Sequence, residues 1–209
     1  MDKFIKNILA PLGIILAVLS LIYGAFLPFR KSQLFIAAMQ NAYRSQTIGD
    51  YEATYNKAFG FYSPVGQAED IRFLLSQISG AIIAKPPQDV SDALVSYADA
   101  VSRANGTGRQ GLNYTQELVT LATIHEANYH NYKSQKDYDA ALALYEKGLS
   151  LSPSRPQFLY GLFQLYMDAG DTANEKAIGE KILSLWPNDT KIEGIMNGIG
   201  ISSSTPSAK

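Results

Sequence analysis

The amino-acid sequence predicts an all-α protein in which an N-terminal transmembrane helix precedes a superhelix of helical hairpins. Three observations support this fold class. Residues 8–27 form an uncharged apolar run of the length that crosses a bilayer as a helix. Most of the remaining chain repeats apolar residues every three or four positions, as amphipathic helices do. Two similar phrases end at Pro153 and Pro187, and this separation of 34 residues is typical of a two-helix repeat.

These observations divide the chain into four predicted segments. They are a membrane anchor at 1–31, a divergent helical-hairpin region at 32–121, two regular repeats at 122–189, and a disordered tail at 190–209. The tail is predicted because Gly, Ser, Thr and Pro are abundant from Gly194 to the end.

The charge of the chain argues against nucleic acid as a partner. Eighteen Lys and Arg residues are set against 19 Asp and Glu residues. The first 31 residues carry a net charge of +3, so the rest carries −4, without a basic stripe. Because the sequence has no cysteine, it excludes disulfides, thiolate metal sites and a cysteine nucleophile.

The anchor is predicted from the composition of residues 8–27. Twelve of them are Leu, Ile, Val or Phe, which together favour insertion into a bilayer by about 4 to 7 kcal/mol. A cleaved secretory signal is the alternative, but the run is long for a signal and no Ala-x-Ala site follows it. Basic residues flank both ends, so charge barely decides the orientation. We expect the following domain to be extracytoplasmic, as is usual after an N-terminal signal anchor.

The region 32–121 is predicted to consist of helices separated by a turn at 48–50, a stop at 85–87 and a flexible loop at 105–111. A first hairpin joins helices at 32–46 and 51–59. The next helix is predicted at 68–83. Another helix follows, and Asp89 can cap its N-terminus. Asn113 and Gln116 resemble a capping box that begins a long helix running through Tyr132. The apolar stripe predicted for the helix at 68–83 consists of Ile71, Leu74, Leu75, Ile78 and Ile82.

The two regular repeats are predicted at 122–155 and 156–189. Small residues allow the two helices of a repeat to approach each other, while aromatic residues fill the space beside them. Glu175 occupies a place where a small residue is expected, and Ala177 could supply one after a local shift. The residues predicted to hold the packing positions are Ala141, Tyr145 and Gly148 in the first repeat and Leu162, Tyr166 and Gly170 in the second.

With these residues the chain resembles the tetratricopeptide repeat (TPR) family, clearly over 122–189 and loosely over 32–64. The resemblance implies a protein-interaction module whose inner helices line a concave face. In that frame the inner face contains Thr123 and Gln157 together with the candidate partner-binding residues Glu126, His130, Lys133, Tyr160, Gln164 and Asp168. Their charges are mixed, which does not support capture of a peptide C-terminal carboxylate. The alternative is that these residues only solvate the inner face.

A second, fainter resemblance covers more of the chain. The exit Phe26-Leu-Pro-Phe-Arg-Lys31, the segments Ser63-Pro-Val-Gly66 and Glu69-Asp-Ile-Arg72, and Ser152-Pro-Ser-Arg-Pro-Gln157 are similar to the C-terminal part of bacterial O-antigen ligase and polymerase proteins. This chain has one predicted span, so the glycan-transferring core of that family is absent. The resemblance implies an accessory subunit of surface-polysaccharide or cell-envelope biosynthesis, with a glycan or a glycosyltransferase as partner.

Two motifs suggest chemistry but lack the context that it requires. Residues 106–111 match the dinucleotide-binding pattern G-x-G-x-x-G, but a helix is predicted before them where a strand is needed. His125 and His130 nearly form the zinc motif H-E-x-x-H, but they are five residues apart instead of four. That spacing rotates the second imidazole about 140° from the first, so we reject a zinc site.

The sequence therefore predicts a membrane-anchored TPR adaptor that binds a protein partner in its groove, attaches to the membrane through residues 8–27, and has neither cofactor nor catalytic activity. The polysaccharide accessory subunit is the alternative. A hydrolase with an unrecognised site is a third hypothesis that no motif supports.

Overall fold

The computed structural model describes residues 2–104 and 112–203. These residues form helices and no strand, which confirms the predicted all-α fold class. One short segment, Ile22–Phe26, is a π-helix that joins the first two α-helices. The α-helices are α1 (Asp2–Leu21), α2 (Leu27–Ala42), α3 (Ile48–Phe59), α4 (Gln67–Ile83), α5 (Gln88–Ala104), α6 (Leu112–Tyr132), α7 (Gln135–Leu151), α8 (Pro156–Ala169), α9 (Thr172–Leu185) and α10 (Thr190–Ser203).

The chain forms two compact units, Met1–Phe73 and Leu74–Lys209. In the first unit, α1, the π-helical segment and α2 follow one another without a break. Within this stretch, the helix Pro11–Ala42 is long and apolar enough to cross a membrane, and its apolar window is not buried against the rest of the protein. Large apolar side chains of α1 are exposed, as at Ile14 and Leu21, which are both 66% accessible.

The helices α2 and α3 form the predicted first hairpin. Thr47 caps α3, because its hydroxyl oxygen accepts a hydrogen bond from the amide of Asp50 at 3.1 Å. The hairpin buries Phe35 against Tyr55, with ring centroids 5.8 Å apart. Aromatic burial thus fixes α3 alongside α2.

In the second unit, α6 with α7 and α8 with α9 form hairpins over the segments where the sequence predicts the two regular repeats. The long helix predicted from Asn113 to Tyr132 is α6. One core cluster joins α6, α7 and α8 and includes four of the six predicted packing residues, Ala141, Tyr145, Leu162 and Tyr166. Its fully or nearly fully buried members are Leu118, Ala122, Ala141, Tyr145, Phe158, Leu162, Leu165 and Tyr166.

Glycines allow the close approach of these helices. A Cβ at Gly148 would overlap the ring of Phe158, and one at Gly161 would overlap the ring of Tyr145. Gly170 has a positive φ of 72° at the C-terminal cap of α8, a conformation that glycine adopts without steric cost. The repeats therefore depend on pairs of one glycine and one aromatic ring.

Two details differ from the sequence predictions. Glu175 is itself buried and Ala177 is exposed, so the local shift that would bring Ala177 inward is wrong. The prediction of disorder is wrong for residues 190–203, which form α10. Ile192 in α10 is 2% exposed and belongs to a second core cluster with α8 and α9, so apolar burial stabilises this helix.

Candidate partner-binding groove

A concavity of about 420 Å³ lies in the second unit and is lined by the end of α4, one face of α6 and one face of α8. Residues three or four apart on α6 and α8 point into it, as the period of an α-helix requires. We call this concavity the groove. The residues that line it are Ile83, Lys85, Thr123, Glu126, Ala127, His130, Asn131, Gln164 and Asp168.

The groove contains four of the six partner-binding residues predicted from the sequence, namely Glu126, His130, Gln164 and Asp168. Lys133 lies at its edge, where its ammonium donates a hydrogen bond to the backbone oxygen of Asp168 at 3.1 Å. The same ammonium lies 4.8 Å from the ring centroid of Tyr129.

Tyr160 is not part of the groove lining. Its hydroxyl donates a hydrogen bond to the carboxylate of Asp189, and its ring stacks on Trp186 with centroids 6.0 Å apart. The repeat frame places Tyr160 on the inner face of α8, but these two neighbours hold it beside the second core cluster. The repeat pattern predicts which face of a helix a residue lies on. It does not predict contacts with residues that follow α9, such as those of Tyr160 with Trp186 and Asp189.

Asp168 organises one wall of the groove. Its Oδ2 lies 2.8 Å from Nδ1 of His130 on α6, and its Oδ1 accepts a hydrogen bond from Nε2 of Gln164 at 3.1 Å. The side chain of His130 remains 63% exposed, while that of Asp168 is 12% exposed. A polar bridge therefore joins α6 to α8 and leaves an imidazole accessible from the solvent.

The surroundings of Glu126 in the groove raise the pKa of its carboxyl group. Burial and the negative charge of Asp168 raise its pKa. The hydrogen bond from the hydroxyl of Tyr145 and the charge of His130 lower it. The raising effects are larger, and the pKa is about 7. The groove therefore contains one carboxyl group whose charge changes near neutral pH.

Below the groove, α6 carries a buried polar network that the sequence analysis did not identify. His125 is 2% exposed and its two ring nitrogens meet Asp137 at 2.8 Å and Asp99 at 3.2 Å. Asn128 donates hydrogen bonds to Asp137 at 2.8 Å and to Asp92 at 3.1 Å. The network connects α5, α6 and α7 and fixes the helix that presents the groove residues.

The two histidines point to different surroundings, as their five-residue spacing predicts. His125 is buried in the network, while His130 faces the groove. Among the described residues, no group of three or more His, Cys, Asp or Glu side chains is arranged to hold a metal ion. The loop at 106–111, with its dinucleotide-like pattern, lies outside the described residues.

The family model described as tetratricopeptide repeat matches residues 132–174. The matched range runs from the end of α6 through α7 and α8 to the start of α9. It therefore supports a tetratricopeptide-like repeat in the part of the chain that contains α7 and α8. No curated protein and no solved structure matches the chain. The predicted similarity to O-antigen ligases gains no support from these comparisons.

Proposed function

We propose that this protein is a membrane-anchored, non-catalytic scaffold that binds a protein partner in the groove between α4, α6 and α8. One observation carries the proposal: helical packing brings Glu126 and His130 on α6 into one open concavity with Gln164 and Asp168 on α8. Tetratricopeptide repeats generally serve protein–protein interaction, and the family match covers α7 and also α8, which lines one side of this concavity.

The chemistry of the groove supports a peptide-like occupant. Ile83 and Ala127 offer apolar surface, while Gln164 and Asn131 carry amides suited to a polypeptide backbone. Lys85 adds a positive charge on the side formed by the end of α4. This mixture can contact the alternating polar and apolar groups of an extended protein segment.

The anchor part of the proposal is supported by the exposed apolar surface of the helix Pro11–Ala42. In water, a row of large side chains that are about half exposed would cost hydrophobic free energy, and a bilayer removes that cost. We place the helical repeats on the extracytoplasmic side, following the usual orientation of an N-terminal signal anchor.

Cross-linking and mass spectrometry on intact membranes of the native host would identify the neighbours of the full chain. Binding of an identified neighbour is then compared between His130→Ala or Gln164→Ala and a control, Lys176→Ala, on the exposed surface of α9. We expect each groove substitution to weaken binding about tenfold, equal to about 1.4 kcal/mol, and the control to bind as the unsubstituted chain does. Equal affinity of all the variants would contradict the groove proposal.

A further inference from the structure

We propose that the loop joining α3 to α4, residues 60–66, lies in the headgroup layer of the bilayer and contacts it through Tyr62 and Val65. The inference rests on the membrane anchor proposed above. It adds a second attachment, since the first unit would then hold the membrane surface through a loop as well as through its spanning helix.

The first step concerns the position of the loop along α2. Lys31 is 2% exposed, and its ammonium donates hydrogen bonds to the backbone oxygens of Ala58 at 3.2 Å and Phe61 at 3.1 Å. It also bonds to the side chain of Gln67, at the start of α4. Both ends of the loop are therefore fixed beside Lys31.

The direction of the hairpin turns the loop towards the membrane. Phe35 meets Tyr55, and Lys31, one turn earlier on α2, meets Ala58, so α3 runs antiparallel to α2. Side chains of a helix also lean towards its N-terminus, which for α2 is the end that continues into the apolar run. The loop after α3 thus lies at the level of Lys31 or nearer to the anchor.

The depth follows from helix geometry. Lys31 is four residues beyond Leu27, the last residue of the uncharged run, which corresponds to about 6 Å along the axis. The polar layer on each side of a bilayer core is about 5 to 8 Å thick. A loop held beside Lys31 therefore falls within that layer when residues 8–27 span the core.

The side chains of the loop suit this location. Residues 60–66 include no charged residue. Tyr62 is 67% exposed and Val65 is 58% exposed. Phe29, on the first turn of α2, is 60% exposed at a similar level. Tyrosine is enriched at membrane interfaces because its ring is apolar and its hydroxyl is polar.

The other end of the same hairpin provides a matched control. Tyr43 is 83% exposed in the turn between α2 and α3, beside the charged Arg44. It is 16 residues beyond Leu27, or about 24 Å along the helix axis, which places it in water. We therefore expect Tyr43 to lie in water and Tyr62 to lie in the headgroup layer, although both are exposed.

The experiment uses the absence of native cysteine, because single-cysteine variants of the full chain need no further substitution. The variants Leu16→Cys, Tyr43→Cys and Tyr62→Cys are labelled with an environment-sensitive fluorophore and reconstituted in phosphatidylcholine vesicles. Nitroxide lipids then quench the probe, with the nitroxide either at the headgroup or deep in the acyl chain. Val65→Cys provides a second report on the loop if a label at position 62 disturbs the fold.

We expect the probe at position 62 to lose most of its fluorescence to the headgroup nitroxide, the probe at 43 to lose almost none, and the probe at 16 to respond to the deep nitroxide. If the probe at 16 is quenched while those at 62 and 65 behave like the one at 43, the loop proposal is overturned and the anchor stands. If the probe at 16 is not quenched either, the anchor fails and the loop proposal fails with it.

Discussion

Nδ1 of His125 lies 2.8 Å from Oδ1 of Asp137, and this buried contact joins α6 to α7 within the repeats. The opposite ring nitrogen of His125 meets Asp99 on α5. Burial lowers the pKa of His125, but the hydrogen bonds and charges of Asp137 and Asp99 outweigh it and raise the pKa to about 9. The pair is therefore a charged contact at neutral pH, and it fixes the helix whose opposite residues line the groove.

The first prediction is that stability falls at alkaline pH. The folded state binds the proton of His125 more tightly than the unfolded chain, whose histidine pKa is the ordinary 6.5. The stabilisation is complete below pH 6.5 and is lost as the pH rises through about 9, with a magnitude on the order of 3 kcal/mol. Thermal unfolding of the full chain in detergent micelles, measured from pH 6 to pH 10 by circular dichroism, checks this prediction.

The variant His125→Gln should lose this alkaline dependence and have a lower melting temperature at pH 6. His130→Gln is the matched control, since its side chain is exposed and lies outside the network. Equal pH profiles for the two variants would show that the His125 network does not set the alkaline stability.

The second prediction concerns the charge of Glu126. Replacing Tyr145 by Phe removes a hydrogen bond that lowers the pKa of Glu126, so the pKa should rise above about 7. Replacing Asp168 by Asn removes a negative neighbour, so the pKa should fall. Carboxyl carbon chemical shifts followed by NMR against pH measure both changes, and shifts of equal sign would contradict the assigned groove geometry.

The third prediction concerns the glycine–ring pairs. A methyl group at Gly161 would overlap the ring of Tyr145, so Gly161→Ala should destabilise the protein by roughly 1 to 3 kcal/mol. Gly80, in the last turn of α4, has no atom of a neighbouring described residue within 4 Å of an added Cβ. Gly80→Ala should therefore stabilise the protein by up to about 1 kcal/mol through helix propensity. Chemical unfolding measures both, and equal stability of the two variants would argue against close packing at Gly161.

The fourth prediction concerns Lys31. Lys31→Met removes the ammonium donor from the oxygens of Ala58 and Phe61, at a cost of about 1 to 3 kcal/mol in all, because the oxygen of Ala58 still accepts a hydrogen bond from the amide of Phe61. Amide hydrogen exchange in the last turn of α3 should become faster. Arg30→Met is the control, because Arg30 is exposed and its side chain bonds to Gln33 in its own helix. Unchanged exchange in Lys31→Met would show that the ammonium does not hold the end of α3.

Local sequence patterns predicted much of the fold, because helix periodicity is a local property. The five apolar residues predicted for one face of α4 are all buried. The packing residues Ala141 and Tyr145 are buried as the repeat pattern requires, and α6 includes Tyr132, through which the long helix was predicted to run. In α10, the spacing of Ile192 and Met196 was a helical signal that the abundance of Gly and Ser obscured.

Long-range partners could not be predicted in the same way. His125 meets Asp99 and Asp137, 26 and 12 residues away, and one sequence does not indicate which acids approach which imidazole. The contact of Lys31 with the end of α3 is equally non-local. Tyr160 lies on the predicted helix face, but Asp189 and Trp186, beyond the regular hairpin, determine its surroundings.

The most direct test of the scaffold proposal is position-specific photo-cross-linking of the full chain in its native membranes. A photoreactive amino acid is placed at Ala127 in the groove or, as a control, at the exposed Ala173 on α9. We predict a discrete cross-linked protein from position 127 that is lost when Gln164→Ala is added, and none from position 173. Equal cross-linking from both positions, or cross-linking at 127 that Gln164→Ala leaves unchanged, would contradict a partner-binding groove.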